Sequence, residues 1–388
     1  MREIDPLIPW LPPVPGEPSV PSAGPLAGLR FVVKDVIDVA GLPTGAGNPR
    51  WLDTHPAPER DAEAVARLRR AGASFAGKVH TDELAFSLAG TNHHYGSPRN
   101  PAAPGRLTGG SSSGSASAVA SGSADIGLGT DTAGSVRVPA AFTGLYGLRP
   151  THSRVPRDGC VPLAPSFDVP GLITRTLDVL RPAAAALLDP HPEQPAPSWL
   201  LLPDDLWHPV PAEIRAALAA SLAALHPLLK PDRTPLFRGP DAWDEAVTAY
   251  STVQGFEAWT AHGDWITRES PDFGPGVASR FTRASKVTPS AAATARTVLT
   301  RTAALLHTRL RRSVLAVPTA PMTPPPLTEP GDRSRLLPYT CLSPLSGAPA
   351  LTVPAATLND LPLGLSLIGP PGSDEHLLSL AGHLRHGT

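Results

Sequence analysis

Apolar and polar positions change their period several times along this 388-residue chain. Leu29 to Val33 form a short, mostly apolar run that leads straight into Lys34-Asp35, the pattern of a buried strand. Ala62, Val65 and Leu68 then recur at helical spacing after Asp61, which is able to cap a first turn, and Gly72 stops the helix. Ala73-Ser74-Phe75-Ala76 reads as a second short strand, completing a strand-helix-strand succession. Between Thr108 and Arg149 small residues take over: Ser112 to Ala120 suits a helix and Ala124 to Leu128 a strand. Val119, Ile126, Leu128, Val136 and Val138 fall there at core-like intervals, which separates the segment from a flexible Gly/Ser linker.

Residues 180–310 hold the clearest helices. Pro211 opens one whose stripe is Ile214, Leu218, Leu222 and Leu225, ended by Pro227. A second, from Ser290, carries Val298, Leu299, Leu305, Leu306 and Leu310 to a basic end that suits a helix C-terminus. Trp243, Phe256, Trp259 and Trp265 are readable as core or as pocket wall, core being the commoner fate of aromatics at helical spacing. Strands return at Val314 to Val317, Ala350 to Val353 and Leu363 to Ile368, and Leu377 to Leu380 opens a closing helix. Strands at both ends with helices between predict an α/β protein: a single domain with a large mixed β-sheet flanked by helices. Residues 1–27 read as a Pro-rich arm, laid on the surface or mobile. Residues 28–175 form the core, 176–312 a variable helical substrate region, and 313–388 the strands that complete the sheet.

Composition narrows the picture. With 49 Pro and 34 Gly, the chain is too punctuated for a coiled coil or a long helical array, and 41% hydrophobic residues are ample for a sizeable core. A net charge of -1 leaves no polybasic footprint for nucleic acid or an anionic membrane. The N-terminus lacks the apolar stretch of a signal peptide, and no run approaches the length of a membrane span. Cys160 and Cys341 form neither a disulfide framework nor a metal-ligand spacing, which fits a reducing, cytoplasmic setting. A homodimer is compatible with all of this.

Only four of the 33 basic residues are lysine: Lys34, Lys78, Lys230 and Lys286. Metal chemistry lacks its ligand clusters, since His93 and His94 are adjacent and on a strand would face opposite ways. The Gly109 to Gly114 run has no following Lys-Ser/Thr pair for a phosphate loop, and no His is placed for a Ser-His-Asp triad. Serine chemistry with a lysine base remains. Lysine accepts a proton near neutrality where burial lowers its pKa, as arginine does not, so Lys34 is a candidate base; pairing with Asp35 at a strand end is an equal alternative on composition alone. In Gly129-Thr130-Asp131-Thr132-Ala133-Gly134-Ser135-Val136-Arg137, small residues before a serine allow a tight turn with converging N–H groups. Asp131 and Arg137 flank it and can brace it by a charge-assisted bond, although an ordinary loop would read the same way.

Val33-Lys34-Asp35, Gly109-Gly110-Ser111-Ser112-Ser113-Gly114-Ser115 and Gly129 to Arg137 together resemble the amidase signature family, with Ser111 and Ser135 the required 24 residues apart. Tyr95 to Pro101, Ser166-Phe167-Asp168, Val317-Pro318-Thr319, Leu345 to Ala350 and Gly364 to Pro370 extend the likeness. The resemblance implies the amidase signature fold, Ser135 as nucleophile, Ser111 as a bridging serine after a cis peptide, and Lys34 as neutral base. It implies an oxyanion hole of backbone N–H groups from Thr132, Ala133, Gly134 and Ser135, support from Ser112, Asp131 and Arg137, an acyl-enzyme, and no metal or organic cofactor. Ala133 and Ser113 stand where the family usually has Gly; the Ala133 N–H survives, so function is expected to tolerate it provided φ there is negative. Lys78 is the competing base, with a structural ion pair the expected role. Gly41 to Pro49 and Phe273-Gly274-Pro275-Gly276 resemble the short indole-3-acetamide amidases, which implies a small-molecule amide substrate such as an aryl-acetamide. Biuret- or allophanate-type hydrolysis, a glutamine-dependent tRNA amidotransferase subunit and a non-catalytic scaffold are the alternatives.

Overall fold

The computed structural model describes residues 2–8, 23–192, 194–237, 239, 241–329 and 332–384. Its first six strands are β1 (Glu3–Ile4), β2 (Arg30–Lys34), β3 (Ser74–Val79), β4 (Ser97–Pro98), β5 (Ile126–Asp131) and β6 (Tyr146–Arg149). The later ones are β7 (Val169–Thr174), β8 (Trp199–Leu201), β9 (Lys230–Asp232), β10 (Ser313–Pro318), β11 (Ala350–Leu358) and β12 (Leu361–Ile368). Ten of them form one sheet in the order β3-β2-β5-β7-β6-β11-β12-β10-β8-β9. Pairing is parallel for β3-β2-β5 and for β10-β8-β9, and antiparallel between, so the sheet is mixed as expected. Helices cover both faces, which is why every residue of β5, β7 and β10 is buried and these strands read as runs rather than alternations.

The two ends of the chain meet in the middle of this sheet. Leu148 of β6 pairs with Leu351 of β11, joining strands some 200 residues apart in sequence. The segment expected to be a variable helical region also contributes β8 and β9, two short strands that extend the sheet at one edge. At the other edge part of the N-terminal arm is laid on the body: β1 pairs with β4, the Ile8 N–H donates to the Lys78 carbonyl at 3.1 Å, and the His80 N–H to Pro6 at 3.0 Å. The arm reading for residues 9–22 lies outside the described residues.

Local expectations fare unevenly. The first helix carrying Val65 and Leu68 is Glu63–Arg70, but Asp61 does not cap it. Its carboxylate instead accepts from the Ala40 N–H at 2.9 Å and pairs with Arg69 at 3.2 Å, tying the loop before the helix to its last turn. The His93-His94 pair sits in a turn closed by Asn92 and Gly96, not on a strand, and His94 approaches the buried Glu83 at 3.3 Å. Among the described residues no helix is long and apolar enough to cross a membrane.

Candidate active site

Lys34 ends β2 and Thr130 lies one residue before the end of β5, so adjacent parallel strands deliver both side chains to the same end of the sheet. There the Lys34 ammonium nitrogen contacts Ser111 Oγ at 2.7 Å and Thr130 Oγ1 at 2.8 Å. Lys34 has no exposed surface. Burial lowers its pKa to about 7, against the opposing attraction of Asp82, Asp131 and Asp168, so a neutral amine is accessible near physiological pH. Ser111 follows a cis peptide bond from Gly110, and its carbonyl accepts from Thr81 Oγ1 at 3.0 Å.

Ser135 is buried in the turn after β5, and its carbonyl accepts from the Ser112 N–H at 3.1 Å, which ties the two serine-bearing segments together. The turn is organised by Asp131. Its carboxylate accepts from the N–H groups of Gly134 and Val136 at 2.9 and 3.2 Å and is gripped by Arg137 through Nη2 and Nε at 2.8 and 2.9 Å. Arg149 approaches the same carboxylate at 3.3 Å and donates to the Asp131 carbonyl. Burial pushes the Asp131 carboxyl up, but the two guanidiniums outweigh it and hold it well below the usual carboxylate range.

The four oxyanion candidates differ in what their N–H groups already do. The Gly134 N–H is spent on Asp131, so of the four oxyanion candidates only Thr132, Ala133 and Ser135 have N–H groups that donate to no described residue. Gly134 is still required by geometry: its φ is +120°, and a Cβ there would lie 2.8 Å from that of Thr340. Ala133 is absent from the positive-φ residues, so its methyl group introduces no backbone strain.

Lys78 is placed quite differently. Its ammonium pairs with Asp35 at 2.9 Å and donates to Thr44 Oγ1 and the Pro43 carbonyl at 2.8 and 3.0 Å, away from both serines. Other neighbours of the turn were not expected from sequence. The Tyr250 hydroxyl donates to the Thr132 carbonyl at 2.6 Å, Thr132 Oγ1 to Asp168 at 2.6 Å, and Arg137 Nη1 to the Thr340 carbonyl at 2.8 Å. Thr130 and Asp168 stand inside quoted motifs, where a signal existed; Tyr250 and Thr340 had none.

A cavity of about 320 Å³ adjoins Thr130 and Thr132. Ala85, Val161, Pro162 and Leu163 give it an apolar wall, and Cys160 and Asp168 also face it. Trp243, Phe256, Trp259 and Trp265 do not line it; Trp243 stacks on Phe237 at 4.5 Å and Trp265 meets Trp51 edge-on at 5.0 Å.

The amidase sequence family ("Amidase") matches residues 18–211 and 263–378. The chain is 35% identical over 404 residues to Amidase 1 of Arabidopsis thaliana, covering 95% of each protein. It is 36% identical over 380 residues to 2-amino-5-chloromuconic acid deaminase of Comamonas testosteroni, covering 92% of this chain and 81% of that protein. A crystal structure described as that of an amidase superposes with a TM-score of 0.84 at 32% identity, over 93% of this chain and 85% of the other.

Proposed function

This chain belongs to the amidase family and is an amide-hydrolysing enzyme, and from that premise we propose that it cleaves its substrate through Ser135, Ser111 and Lys34. The observation that carries this reading is the 2.7 Å contact between Ser111 Oγ and a fully buried Lys34 whose pKa is near 7. Ser135 Oγ attacks the amide carbonyl while its proton moves to Ser111, whose own proton moves to Lys34. The oxyanion is held by backbone N–H groups from Thr132, Ala133 and Ser135; each such donor is typically worth about 3 kcal/mol in the transition state. The relay then runs backward: Lys34 returns the proton through Ser111 to the departing nitrogen, the C–N bond breaks, and an acyl-Ser135 intermediate forms. Water attacks that ester with the same groups as base, releasing the acid and restoring Ser135.

The cavity beside Thr132 is our proposed acyl pocket. Its volume lies at the small end of ligand sites, and its apolar wall with a few polar groups suits a compact aromatic acid amide, an aryl-acetamide such as indole-3-acetamide. The test is ammonia release from a panel of indole-3-acetamide, benzamide, glutamine and biuret, with Ser135→Ala as control. Indole-3-acetamide is expected to be the best of the four and Ser135→Ala to be inactive. Unchanged release by Ser135→Ala sinks the mechanism, and preference for glutamine or biuret sinks the substrate reading.

A further inference from the structure

A proton arriving at Lys34 creates an ammonium in a site with no exposed surface, where an uncompensated charge is costly. Asp82, Asp131, Asp168 and Cys160 are the ionisable groups that act on it. Asp131 is occupied by Arg137 and Arg149. Asp168 already accepts from Thr132 Oγ1 and from the N–H groups of Leu163 and Ala164. Burial pushes the Cys160 thiol up to about 12, so it stays neutral.

Asp82 is the carboxylate with capacity left. It is fully buried; Oδ2 accepts from the Gly90 N–H at 3.0 Å, and Oδ1 has no hydrogen-bond partner among the described residues. The group packs on Gly110, where a Cβ would lie 2.6 Å from either oxygen, and the Asp82 N–H donates to the Ser111 carbonyl at 3.4 Å. The underused carboxylate therefore lies against the residue before the serine that Lys34 contacts.

We propose that Asp82 is a positioning residue of the proton relay, its unpartnered carboxylate oxygen supplying the negative field that stabilises the Lys34 ammonium once formed. This rests on the Ser135-Ser111-Lys34 reading. Asp82 itself takes no proton from substrate. Burial pushes the Asp82 carboxyl up from its ordinary value, and the Gly90 N–H, the Ser87 hydroxyl and the cations Lys34 and Arg280 that face it oppose that push.

Removing the negative charge disfavours the ammonium, so the Lys34 pKa must fall. Asp82→Asn is therefore expected to move the rising limb of kcat/KM against pH to lower pH by about half a unit or more. The plateau is expected to fall about tenfold with KM nearly unchanged. A merely structural Asp82 would lower the plateau and leave the limb in place, which overturns the proposal. Because the chain has only four lysines, NMR of labelled lysine follows Lys34 directly in Ser135→Ala with and without Asp82→Asn. A downward shift there is expected and an unmoved titration overturns the proposal, whether or not Ser135 proves to be the nucleophile. Asp82→Ser serves in both measurements if the Asn variant does not fold, judged by thermal melting.

Discussion

Lys34 and Lys78 emerge from neighbouring strands, Lys34 opposite Val79 and Lys78 opposite Val33, yet their surroundings give them opposite chemistry. Lys78 meets a carboxylate at 2.9 Å, whereas Lys34 meets hydroxyls and lies in a site dry enough to bring its pKa to about 7. Lys34→Met is expected to abolish acylation, measured as loss of ammonia release with KM little changed in any residual activity. In the unaltered enzyme kcat/KM should rise with pH through about 7, because only the neutral amine accepts a proton; a flat profile from pH 5 to 9 counts against Lys34 as base. Lys78→Met leaves the Asp35 charge buried without its partner, a change that typically costs about 3–5 kcal/mol. It should appear as a lower denaturation midpoint, while the molecules that remain folded keep turnover. If turnover vanished with Lys78 and survived without Lys34, the roles assigned here would be reversed.

Elements from across the chain fix the turn that carries Ser135: β5 supplies Asp131, β6 supplies Arg149 to it, the 29-residue helix Asp241–Glu269 supplies Tyr250, and the helix Arg333–Thr340 supplies its terminal carbonyl to Arg137. Tyr250→Phe deletes one neutral hydrogen bond to the Thr132 carbonyl, worth about 1 kcal/mol. The Thr132 N–H is one of the proposed oxyanion donors, so steady-state kinetics should show kcat reduced about fivefold with KM nearly constant; an effect confined to KM would show that Tyr250 acts on binding instead. The same elements divide what the sequence disclosed from what it concealed. Val65 and Leu68 share one buried face of a surface helix, and β2 is a short apolar run, so period and length exposed both. Asp131 and Arg137 were readable as partners because six residues and one turn separate them. β7, with the sequence VPGLIT, contains Pro and Gly and takes no assignment from its pattern, although the ladder to β5 accepts it as a strand. In the long helix Trp243, Ala246, Tyr250, Val253 and Glu257 recur at intervals of three and four residues on one buried stripe, so Tyr250 reads as one more core aromatic and nothing in that spacing marks its hydroxyl as a partner of Thr132. Arg149 and Thr340 reach the site through tertiary packing alone, which leaves no local signal.

At the scale of the whole molecule, Lys34, Ser111 and Ser135 all belong to the N-terminal half of the chain, yet that half cannot complete their surroundings. β6 finds its outer partner in β11, Arg137 donates to the Thr340 carbonyl, and Tyr250 closes on Thr132, so the sheet and the turn both depend on residues beyond 240. Between the helix Leu177–Leu187 and β8, residues 189–192 and 194–198 are irregular, with much of their surface exposed, and offer a place to divide the chain without cutting a strand. Residues 1–193 produced alone should therefore show no amide hydrolysis despite holding all three proposed catalytic side chains. With β6 still paired to β7 but lacking β11, an apolar edge is open, and the fragment is expected to aggregate. Producing it together with residues 194–388 should restore a soluble complex and measurable ammonia release, since the missing contacts are non-covalent. Activity in the isolated N-terminal fragment would show that the turn is self-sufficient, and that the joining of both chain ends in one sheet serves stability rather than the geometry of Ser135.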